Sequence, residues 1–336
     1  MKTVHNNYGS DFMKKLILIL LCTVFCMDVN AYSDKIIPGG ETIGIDIKTD
    51  GIIITGFYKV NNKLNNSNPK LQSGDTIKFV NNIKVDTSDD LLNAMKDNMR
   101  NNEVTLTIDR NGKLFDSKME IYEENNTYKT GLYVKDSILG IGTLSYIDPE
   151  SKVYGALGHE VNETETSKKV EVKEGEIFKS KVTSIDKSSR GNPGEKNAKF
   201  YKEVVYGDIN KNEITGIFGD FRYKLPEKKE LPVGKASDIK KGKAFIQTVI
   251  HGEKVESFEI NISKLDFNND TKNIYFEVTD KRLLEKSGGI IQGMSGSPII
   301  QDDKIIGAVS HVIVDNPANG YGVSIVKMLE EGDKLN

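Results

Sequence analysis

The second part of this 336-residue chain, from Gly131 to the end, is a succession of short apolar runs separated by Gly, Asn, Asp and Pro. This rhythm constrains the fold more than any other feature, because each run has the length of a β-strand and each break consists of turn residues. The runs occupy residues 138–144, 170–172, 181–185, 245–249, 274–278, 299–300, 304–314 and 321–325. More than six short strands in about 200 residues predict an antiparallel sandwich or barrel.

The first part of the chain, residues 36–121, predicts a small mixed α+β domain. Strand-like runs occupy residues 43–47, 51–55, 76–80 and 104–108. One helix interrupts them, with Thr87 or Ser88 as its N-cap. Its apolar residues at helical spacing are Leu91, Leu92, Met95 and Met99. Residues 122–130 are polar and predict a linker, so residues 131–336 are expected to form a second, mainly β domain.

The N-terminal residues 1–31 predict an export signal or a membrane anchor. Lys14 and Lys15 precede an apolar run at residues 16–27, and small residues follow at the position where a signal would be cleaved. This run is shorter than the roughly 20 residues that a spanning helix needs. An uncleaved anchor stays open, and so does a start of the chain at Met13.

Cysteine content and net charge exclude only a few classes of protein. Both cysteines, Cys22 and Cys26, lie inside the N-terminal apolar run, so the mature protein is expected to have no disulfide and no cysteine metal site. Lys plus Arg number 46 against 49 for Asp plus Glu, and the net charge is -3. The chain therefore lacks the basic character of a nucleic-acid-binding protein.

The segment 289–298, Gly-Ile-Ile-Gln-Gly-Met-Ser-Gly-Ser-Pro, contains a candidate catalytic nucleophile, Ser295. A serine hydroxyl needs a neighbouring base, and it needs backbone N–H donors for the oxyanion that develops on the attacked carbonyl. Gly293 and Gly296 give this backbone the required freedom, so the amides of Gly293 and Ser295 form the predicted oxyanion hole. The alternative interpretation is a Gly/Ser-rich tight turn between strands.

Three histidines beyond the export segment are candidates for the base. His159 follows an apolar run that two glycines interrupt, which predicts an imidazole at a strand end; a structural histidine is the alternative. His311 lies within a strand-like run and favours a packing or cross-strand role, and His251 is typical of a hairpin turn. Glutamates at positions 160, 163 and 165 follow His159, and a carboxylate close to its ring would raise its pKa.

Asp280 is a candidate for the carboxylate that would hold the imidazole in the correct tautomer. It lies fifteen residues before Ser295. It also precedes Lys-Arg-Leu-Leu-Glu-Lys and a closing glycine, a pattern typical of a short helix with an aspartate at its N-cap. The residues alone favour the cap.

Two motifs in the first domain resemble those of PDZ domains. They are Pro-Gly-Gly-Glu-Thr-Ile-Gly-Ile at residues 38–45 and Leu-Gln-Ser-Gly-Asp-Thr-Ile-Lys-Phe-Val-Asn at residues 71–81. In that family, the backbone amides of a glycine-containing loop hold the C-terminal carboxylate of a peptide, which adds to a sheet edge beside a helix. The resemblance implies such a loop at residues 39–44. The implied peptide-binding residues are Gly39, Gly40, Ile43, Gly44 and Ile45. A PDZ-like scaffold that packs on its own chain and binds nothing is the alternative.

A larger set of motifs resembles the stage IV sporulation protein B family, serine peptidases of endospore-forming Firmicutes. The motifs are Gly-Ala-Leu-Gly-His at 155–159, Asn-Pro-Gly-Glu-Lys at 192–196, Gly-Asp-Ile-Asn at 207–210, Gly-Ile-Phe-Gly at 216–219, Thr-Asp at 279–280, the serine segment at 288–299 and the tail at 309–322. The resemblance spans the chain from the signal to the end. It implies a small PDZ domain followed by a chymotrypsin-like antiparallel β-barrel peptidase domain.

This family resemblance also implies a function and catalytic residues. Its members are self-cleaving serine endopeptidases that the forespore exports into the space between the two membranes around it, where they remain secreted or membrane-anchored. There they typically cut a membrane-bound regulator, their protein partner, and so signal to the mother cell. Position by position, the resemblance implies Ser295 as nucleophile, His159 as base and Asp280 as acid, with no metal and no organic cofactor. The PDZ module would control self-cleavage or partner recognition.

The sequence disfavours two other classes of protein. A non-catalytic envelope scaffold, with a peptide-binding PDZ module and a degenerate protease fold, is disfavoured because Ser295, His159 and Asp280 are all present. A metal-dependent hydrolase is disfavoured because the sequence has no His-x-x-x-His motif and no other clustered ligand spacing.

Overall fold

The computed structural model of the protein describes residues 32–64, 66–98, 101–124 and 127–335. The predicted export segment, residues 1–31 with both cysteines, lies outside the described residues, as does Met99 of the predicted helix. Within these ranges, every helix is too short or too polar to cross a membrane.

The first part of the chain forms a small module of strands covered by one helix. Its elements and the strands that flank it are β1 (Lys35–Pro38), β2 (Thr42–Phe57), β3 (Thr76–Val80), β4 (Ile83–Lys84), α1 (Ser88–Asn98), β5 (Glu103–Arg110), β6 (Lys113–Glu120), β7 (Tyr122–Glu124) and β8 (Thr127–Lys129). The predicted cap is confirmed, since Thr87 Oγ1 accepts a hydrogen bond from the Asp90 amide at 3.1 Å. Leu91 and Met95 are buried in the module core. Leu92, predicted on the same face, is 40% exposed.

The second part begins with an open antiparallel sheet. Its strands are β9 (Leu132–Ile147), β10 (Val153–Ala156), β11 (Val172–Asp186), β12 (Glu195–Asp208), β13 (Lys211–Glu213), β14 (Gly216–Asp220) and β15 (Leu231–Pro232). Neighbouring strands follow the order β13, β14, β10, β9, β2, and β11 pairs with the other edge of β2. The long strands β2 and β9 pair from one end to the other, so they run through both this sheet and the small module.

Two of the four hydrophobic cores of the described residues, those of the small module and of the open sheet, divide within β2, whereas the sequence predicted that the small domain begins at residue 36. Ile52 and Ile54 belong to the core of the small module, whereas Ile43, Ile45 and Ile47 belong to the core of the open sheet. The sequence could not show this division, because an alternating apolar strand has the same pattern whichever core its side chains enter. The predicted linker is largely a two-stranded hairpin of β7 and β8.

The last part of the chain forms a closed barrel of six antiparallel strands. Its elements are β16 (Gly242–Val249), β17 (Val255–Leu265), β18 (Ile274–Val278), α2 (Lys281–Ser287), β19 (Pro298–Gln301), β20 (Lys304–Val312) and β21 (Asn319–Ser324), followed by α3 (Ile325–Asp333). The order around the barrel is β16, β17, β18, β21, β20, β19, and pairing of β19 with β16 closes it. Alternate residues such as Ile246, Phe258 and Ile260 fill its interior. The mainly β fold class is confirmed.

The loop that was expected to hold a peptide carboxylate is buried in the protein. The amide of Gly40 donates to the Leu144 carbonyl at 2.8 Å, and a Cβ on Gly44 would collide with the ring of Phe178. Both edges of β2 are already paired in this region, with β9 on one side and β11 on the other. Within the described residues, no strand edge beside Gly39, Gly40, Ile43, Gly44 and Ile45 is free for a peptide, so their binding role stays a prediction that this arrangement disfavours. The loop fits the alternative, a scaffold that packs on its own chain.

Candidate active site

Ser295 and His159 lie where the open sheet meets the closed barrel. Ser295 is in the loop before β19, and His159 is in the loop after β10. Thr143 of β9 connects the two loops, because its amide donates to the Ser295 carbonyl at 2.9 Å and its own carbonyl accepts from the Leu157 amide at 3.3 Å. The sheet thus holds both predicted catalytic loops against each other.

Two glycines permit the close approach of these loops. Gly296 has a φ of 94°, and a Cβ at this position would collide with the Thr143 carbonyl. Gly158 has a φ of 71°, and a Cβ there would lie 2.9 Å from the Val309 carbonyl of the barrel. An L side chain at either position would be strained and would separate the loops. The glycines that flank the serine and precede the histidine are therefore required by packing.

His159 is held in the tautomer that a general base requires. Its Nδ1 lies 2.7 Å from the Glu160 carbonyl. A carbonyl can only accept, so Nδ1 carries the proton and Nε2 keeps its lone pair. Burial lowers the pKa of His159 and outweighs the opposite effect of Glu160. Of the glutamates that follow His159, Glu160 raises this pKa by less than burial lowers it, and Glu163 is buried and pairs with Lys135 at 2.9 Å.

A second histidine, His311 of β20, faces the first. The ring centroids of His159 and His311 are 5.4 Å apart, and the rings are tilted by 43°. Burial lowers the pKa of His311 to about 4, with smaller contributions from the charges of His159 and Lys272. Both imidazoles are therefore neutral at pH 7. His311 lies opposite Tyr321 of the neighbouring strand β21, in keeping with the predicted cross-strand role.

Ser295 is half-buried, and its side chain contacts the strand β20 that carries His311. Its Oγ donates a long hydrogen bond of 3.4 Å to the carbonyl of Ser310, the residue before His311. Among the described residues the hydroxyl has no hydrogen bond to His159. Catalytic hydrogen bonds are often long or absent without substrate and tighten only in the complex.

The amides that form the predicted oxyanion hole have no acceptor within the described part of the chain. The neighbouring amides of Gln292, Met294 and Gly296 donate to the carbonyls of Gly194, Ile291 and Val309 at 3.1, 3.1 and 2.7 Å. The amides of Gly293 and Ser295 are the exceptions in this loop. Most backbone amides of a folded protein are paired, so two unpaired amides on either side of one residue offer donors to a ligand oxygen.

A cavity of about 490 Å³ opens beside the two histidines. His159, His311 and Glu160 form one side, and residues 268–271 of the β17–β18 loop form another. Ile214 also lines this cavity, although its side chain is 46% exposed. The walls of this cavity therefore combine polar and titratable groups with one exposed apolar side chain.

Asp280 is the N-cap of α2. Its carboxylate accepts from the Arg282 amide at 2.9 Å and from the Arg282 guanidinium at 2.7 Å, and hydrogen bonding by Arg282 lowers its pKa. The helix ends at Gly288 in the left-handed conformation, as the alternative interpretation requires. Within the described ranges, the Asp280 carboxylate has no hydrogen bond to His159.

Strand register shows how far Asp280 lies from the histidine pair. Tyr275 of β18 is opposite Tyr321, which is opposite His311. Asp280 is five residues beyond Tyr275 in the same extended segment, so it lies about 16 Å from Tyr275 along the strand direction. The structure thus brings the loops of Ser295 and His159 together and places Asp280 at the other end of the barrel wall.

Sequence reasoning missed two residues behind the serine loop, Thr143 and Lys196. Lys196 is 3% exposed, and among the described residues its ammonium group hydrogen-bonds only to threonine hydroxyls. Burial lowers its pKa to about 7. It belongs to the Asn-Pro-Gly-Glu-Lys motif, but a lysine in a polar segment gives no sequence signal of burial. Nothing in the described ranges brings three His, Cys, Asp or Glu side chains together in a way that could hold a metal ion.

An open sheet and a closed barrel thus hold a serine, a neutral histidine and two unpaired amides in neighbouring loops, and serine peptidases use groups of these kinds. The chain belongs to the SpoIVB peptidase S55 family, whose family model matches residues 126–329. A comparison with curated proteins gives no match.

The chain is also similar to solved structures of the protease Rv3671c from M. tuberculosis. Its active form matches with a TM-score of 0.32 and 16% sequence identity, over 57% of this chain and 74% of that chain. An inactive form matches with a TM-score of 0.32 and 14% identity, over 59% and 85%. The inactive Ser343Ala mutant of that protease matches with a TM-score of 0.31 and 14% identity, over 57% and 81%.

Proposed function

We propose that this peptidase is a self-cleaving serine endopeptidase with Ser295 as nucleophile and His159 as base. The observation that carries the proposal is the pair of unpaired amides, Gly293 and Ser295, beside a serine hydroxyl. A simple Gly/Ser turn gains nothing by leaving both amides without a protein acceptor, because an intramolecular hydrogen bond contributes about 0.5–1.5 kcal/mol to stability. An oxyanion hole has that reason, since its donors must stay free for the substrate.

The reaction would follow the acyl-transfer scheme. Ser295 Oγ attacks the scissile carbonyl carbon while His159 Nε2 takes the hydroxyl proton, and the carbonyl oxygen becomes an oxyanion bound by the amides of Gly293 and Ser295. The C–N bond then breaks as His159 returns the proton to the leaving amine. Water repeats the sequence on the acyl-enzyme, with His159 first accepting its proton and then protonating Ser295 Oγ.

In this proposal the Glu160 carbonyl orients the imidazole. A backbone acceptor at 2.7 Å from Nδ1 fixes the ring and its tautomer, which is the positional task of the acid in a triad. A neutral carbonyl stabilises the imidazolium ion less than a carboxylate would. The acid role of Asp280 stays a prediction, and it requires the N-terminus of α2 to lie elsewhere when substrate is bound.

The cellular role that we propose is sporulation signalling between forespore and mother cell. Membership of the SpoIVB peptidase family supports it, and the N-terminal segment 1–31 has the sequence of an export signal or anchor. The peptidase would be exported into the space between the two membranes and would cut a membrane-associated regulatory protein there. A protein partner of this kind fits a cleft that is open to an extended chain.

The small module, predicted from its motifs to be a PDZ domain, is proposed to control self-cleavage or partner recognition through the strands that it shares with the peptidase. β9 begins in the module and reaches Thr143, which holds the serine loop. A shift of the module would therefore move the backbone behind Ser295. This route replaces the peptide-carboxylate loop at residues 39–44, which is buried.

The test is a comparison of the recombinant wild-type protein with its Ser295→Ala variant. We expect the wild type to cut itself and to react with a fluorophosphonate probe at Ser295, and the variant to do neither while unfolding at the same temperature. Mass and N-terminal sequence of both proteins give the self-cleavage site. A folded wild-type protein that stays uncut and unlabelled would instead support the non-catalytic scaffold.

A further inference from the structure

The backbone of Lys196 runs beside the segment that leads into the serine loop. Its amide donates to the Gln292 carbonyl at 3.0 Å, and the Gln292 amide donates to the Gly194 carbonyl at 3.1 Å. In a trans peptide the C=O and the following N–H point in opposite directions. A Gln292 carbonyl that faces Lys196 therefore directs the Gly293 amide away from Lys196, toward the catalytic side of the loop.

The side chain of Lys196 ends among three threonine hydroxyls and has no carboxylate partner among the described residues. Its Nζ lies 2.9 Å from Thr248 Oγ1, 3.2 Å from Thr42 Oγ1 and 3.4 Å from Thr143 Oγ1. Buried lysines are normally paired with an acid, because burial of an unpaired charge is costly. Retention of an amine here requires a use for it, since methionine would fill the same space without that cost.

Thr143 transmits the position of Lys196 to the serine loop. Its hydroxyl donates to the Gly293 carbonyl at 2.7 Å, so its oxygen accepts from Lys196 Nζ. Its amide holds the Ser295 carbonyl at 2.9 Å. The methylene groups of Lys196 also pack against the backbone of Gly293, because a Cβ added to Gly293 would lie 3.2 Å from Lys196 Cβ. Two peptide planes of the loop are thus fixed by one lysine and one threonine.

We propose that Lys196 is a positioning residue of the oxyanion hole, which holds the loop of Gly293 and Ser295 through a hydrogen-bond chain from its amine to Thr143 and the Gly293 carbonyl. The catalytic consequence rests on the proposed function. Lys196 does not act on substrate itself, because its amine is buried and surrounded by hydroxyls. Its effect is to keep both amides aimed at one point, which determines the strength of an oxyanion hole.

The variants Lys196→Met and Thr143→Val each break one link of the chain and keep side-chain volume. Removal of one oxyanion donor costs about 10²–10³ in kcat, and a loosened loop should cost less. We expect each variant to lower kcat, and the rate of fluorophosphonate labelling of Ser295, by roughly tenfold with little change in KM. The double variant should lose no more than the worse single variant, because both break the same chain.

Two further variants act as matched controls. Thr143→Ser keeps the hydroxyl and should restore the rate. Thr248→Val removes the hydroxyl closest to the lysine, but Thr248 Oγ1 has no hydrogen bond to the serine loop within the described ranges, so its effect should be smaller than that of Thr143→Val. Equal losses in Thr248→Val and Thr143→Val would show that the lysine pocket is merely structural and would overturn the proposal.

Hydrogen exchange gives a readout that needs no activity. The amides of Met294, Gly296 and Ser297 are hydrogen-bonded within or next to the loop. In Lys196→Met and Thr143→Val these amides should exchange about tenfold faster than in the wild type. The amides of β5 and β6, far from the loop, should exchange at the wild-type rate. Unchanged exchange in both folded variants overturns the positioning role, whether or not the enzyme is active. Faster exchange in a protein whose Ser295 never reacts supports the positioning role and overturns the peptidase assignment. If Lys196→Met fails to fold, Thr143→Val and Thr143→Ser decide the question.

Discussion

The imidazole rings of His159 and His311 face each other with their centroids 5.4 Å apart, one on the open sheet and one on the closed barrel. Their surroundings differ in the hydrogen bonding of Nδ1, and this difference predicts different roles for the two histidines. Nδ1 of His159 is bonded to the Glu160 carbonyl, whereas Nδ1 of His311 is buried and lacks a hydrogen-bond partner in the described ranges. An imidazole with an unfixed tautomer is a poor candidate for a general base.

Substitution of the two histidines should therefore have very different effects. His159→Ala should lower kcat by roughly 10⁴-fold or more, as loss of the base does in serine peptidases. His311→Phe keeps a ring against His159 and removes an unpaired nitrogen, so it should change kcat by less than about tenfold. The measurement is the rate of self-cleavage and of fluorophosphonate labelling, with His251→Ala, an exposed hairpin residue, as control. Loss of activity in His311→Phe together with normal activity in His159→Ala would assign the base to His311.

The pH dependence of activity should reflect the buried environment of His159. The base acts in its neutral form, and burial lowers its pKa below the usual 6.5, so the active form persists to lower pH than for an exposed histidine. The acid limb of a kcat/KM profile should accordingly lie below pH 6.5. An acid limb above that pH would show that a carboxylate approaches the imidazole in the working enzyme.

Lys196 should make the stability of the protein depend on pH above neutrality. Its pKa is lowered from 10.5 to about 7 in the folded protein, so between these values the unfolded chain binds a proton that the folded protein does not. Stability therefore rises with pH across this window and gains nothing further above it. The wild type should gain stability between pH 7 and pH 9.5 relative to Lys196→Met, which lacks this group. Parallel pH dependence of the two unfolding midpoints would show that Lys196 keeps an ordinary pKa.

The serine loop and the helix caps could be predicted from sequence because local residue chemistry determines them. The glycines around Ser295, and the Asp and Gly that bound α2, impose backbone conformations regardless of what packs nearby. The roles of Thr143, Lys196 and the Glu160 carbonyl could not be predicted. Each depends on contacts between residues far apart in the chain, and a threonine or a backbone carbonyl has no sequence signature of such a contact.

The loop at residues 39–44, predicted to bind a peptide, shows a second limit of prediction from sequence. Gly39 and Gly44 do require small residues, as the motif suggests, but the reason is the proximity of Leu144 and Phe178 and not space for a ligand. A glycine motif shows that something approaches the backbone closely. It does not distinguish a peptide from a neighbouring strand of the same chain.

Asp280 can be assigned by two substitutions. If it is only a cap, Asp280→Asn should retain stability and turnover, because Asn caps about as well as Asp, whereas Asp280→Ala should lose about 1 kcal/mol of stability and keep its turnover. Chemical denaturation and the rate of self-cleavage measure the two quantities. A large loss of turnover in Asp280→Asn at unchanged stability would restore Asp280 as the catalytic acid and would show that the N-terminus of α2 moves.

The buried position of the 39–44 loop makes a prediction about stability that a peptide-binding loop would not. A methyl group at Gly44 would collide with the ring of Phe178, so Gly44→Ala should destabilise the folded protein by about 1–3 kcal/mol, the usual cost of overpacking. Gly140→Ala is the matched control. It lies on β9 directly opposite Ile45, and an added Cβ there meets nothing within 4 Å, so its stability should stay close to that of the wild type. The free energies of unfolding of the three proteins, from urea denaturation, give the comparison. If Gly44→Ala is as stable as Gly140→Ala, the loop is open in solution, and its role in binding a peptide carboxylate returns as the better interpretation.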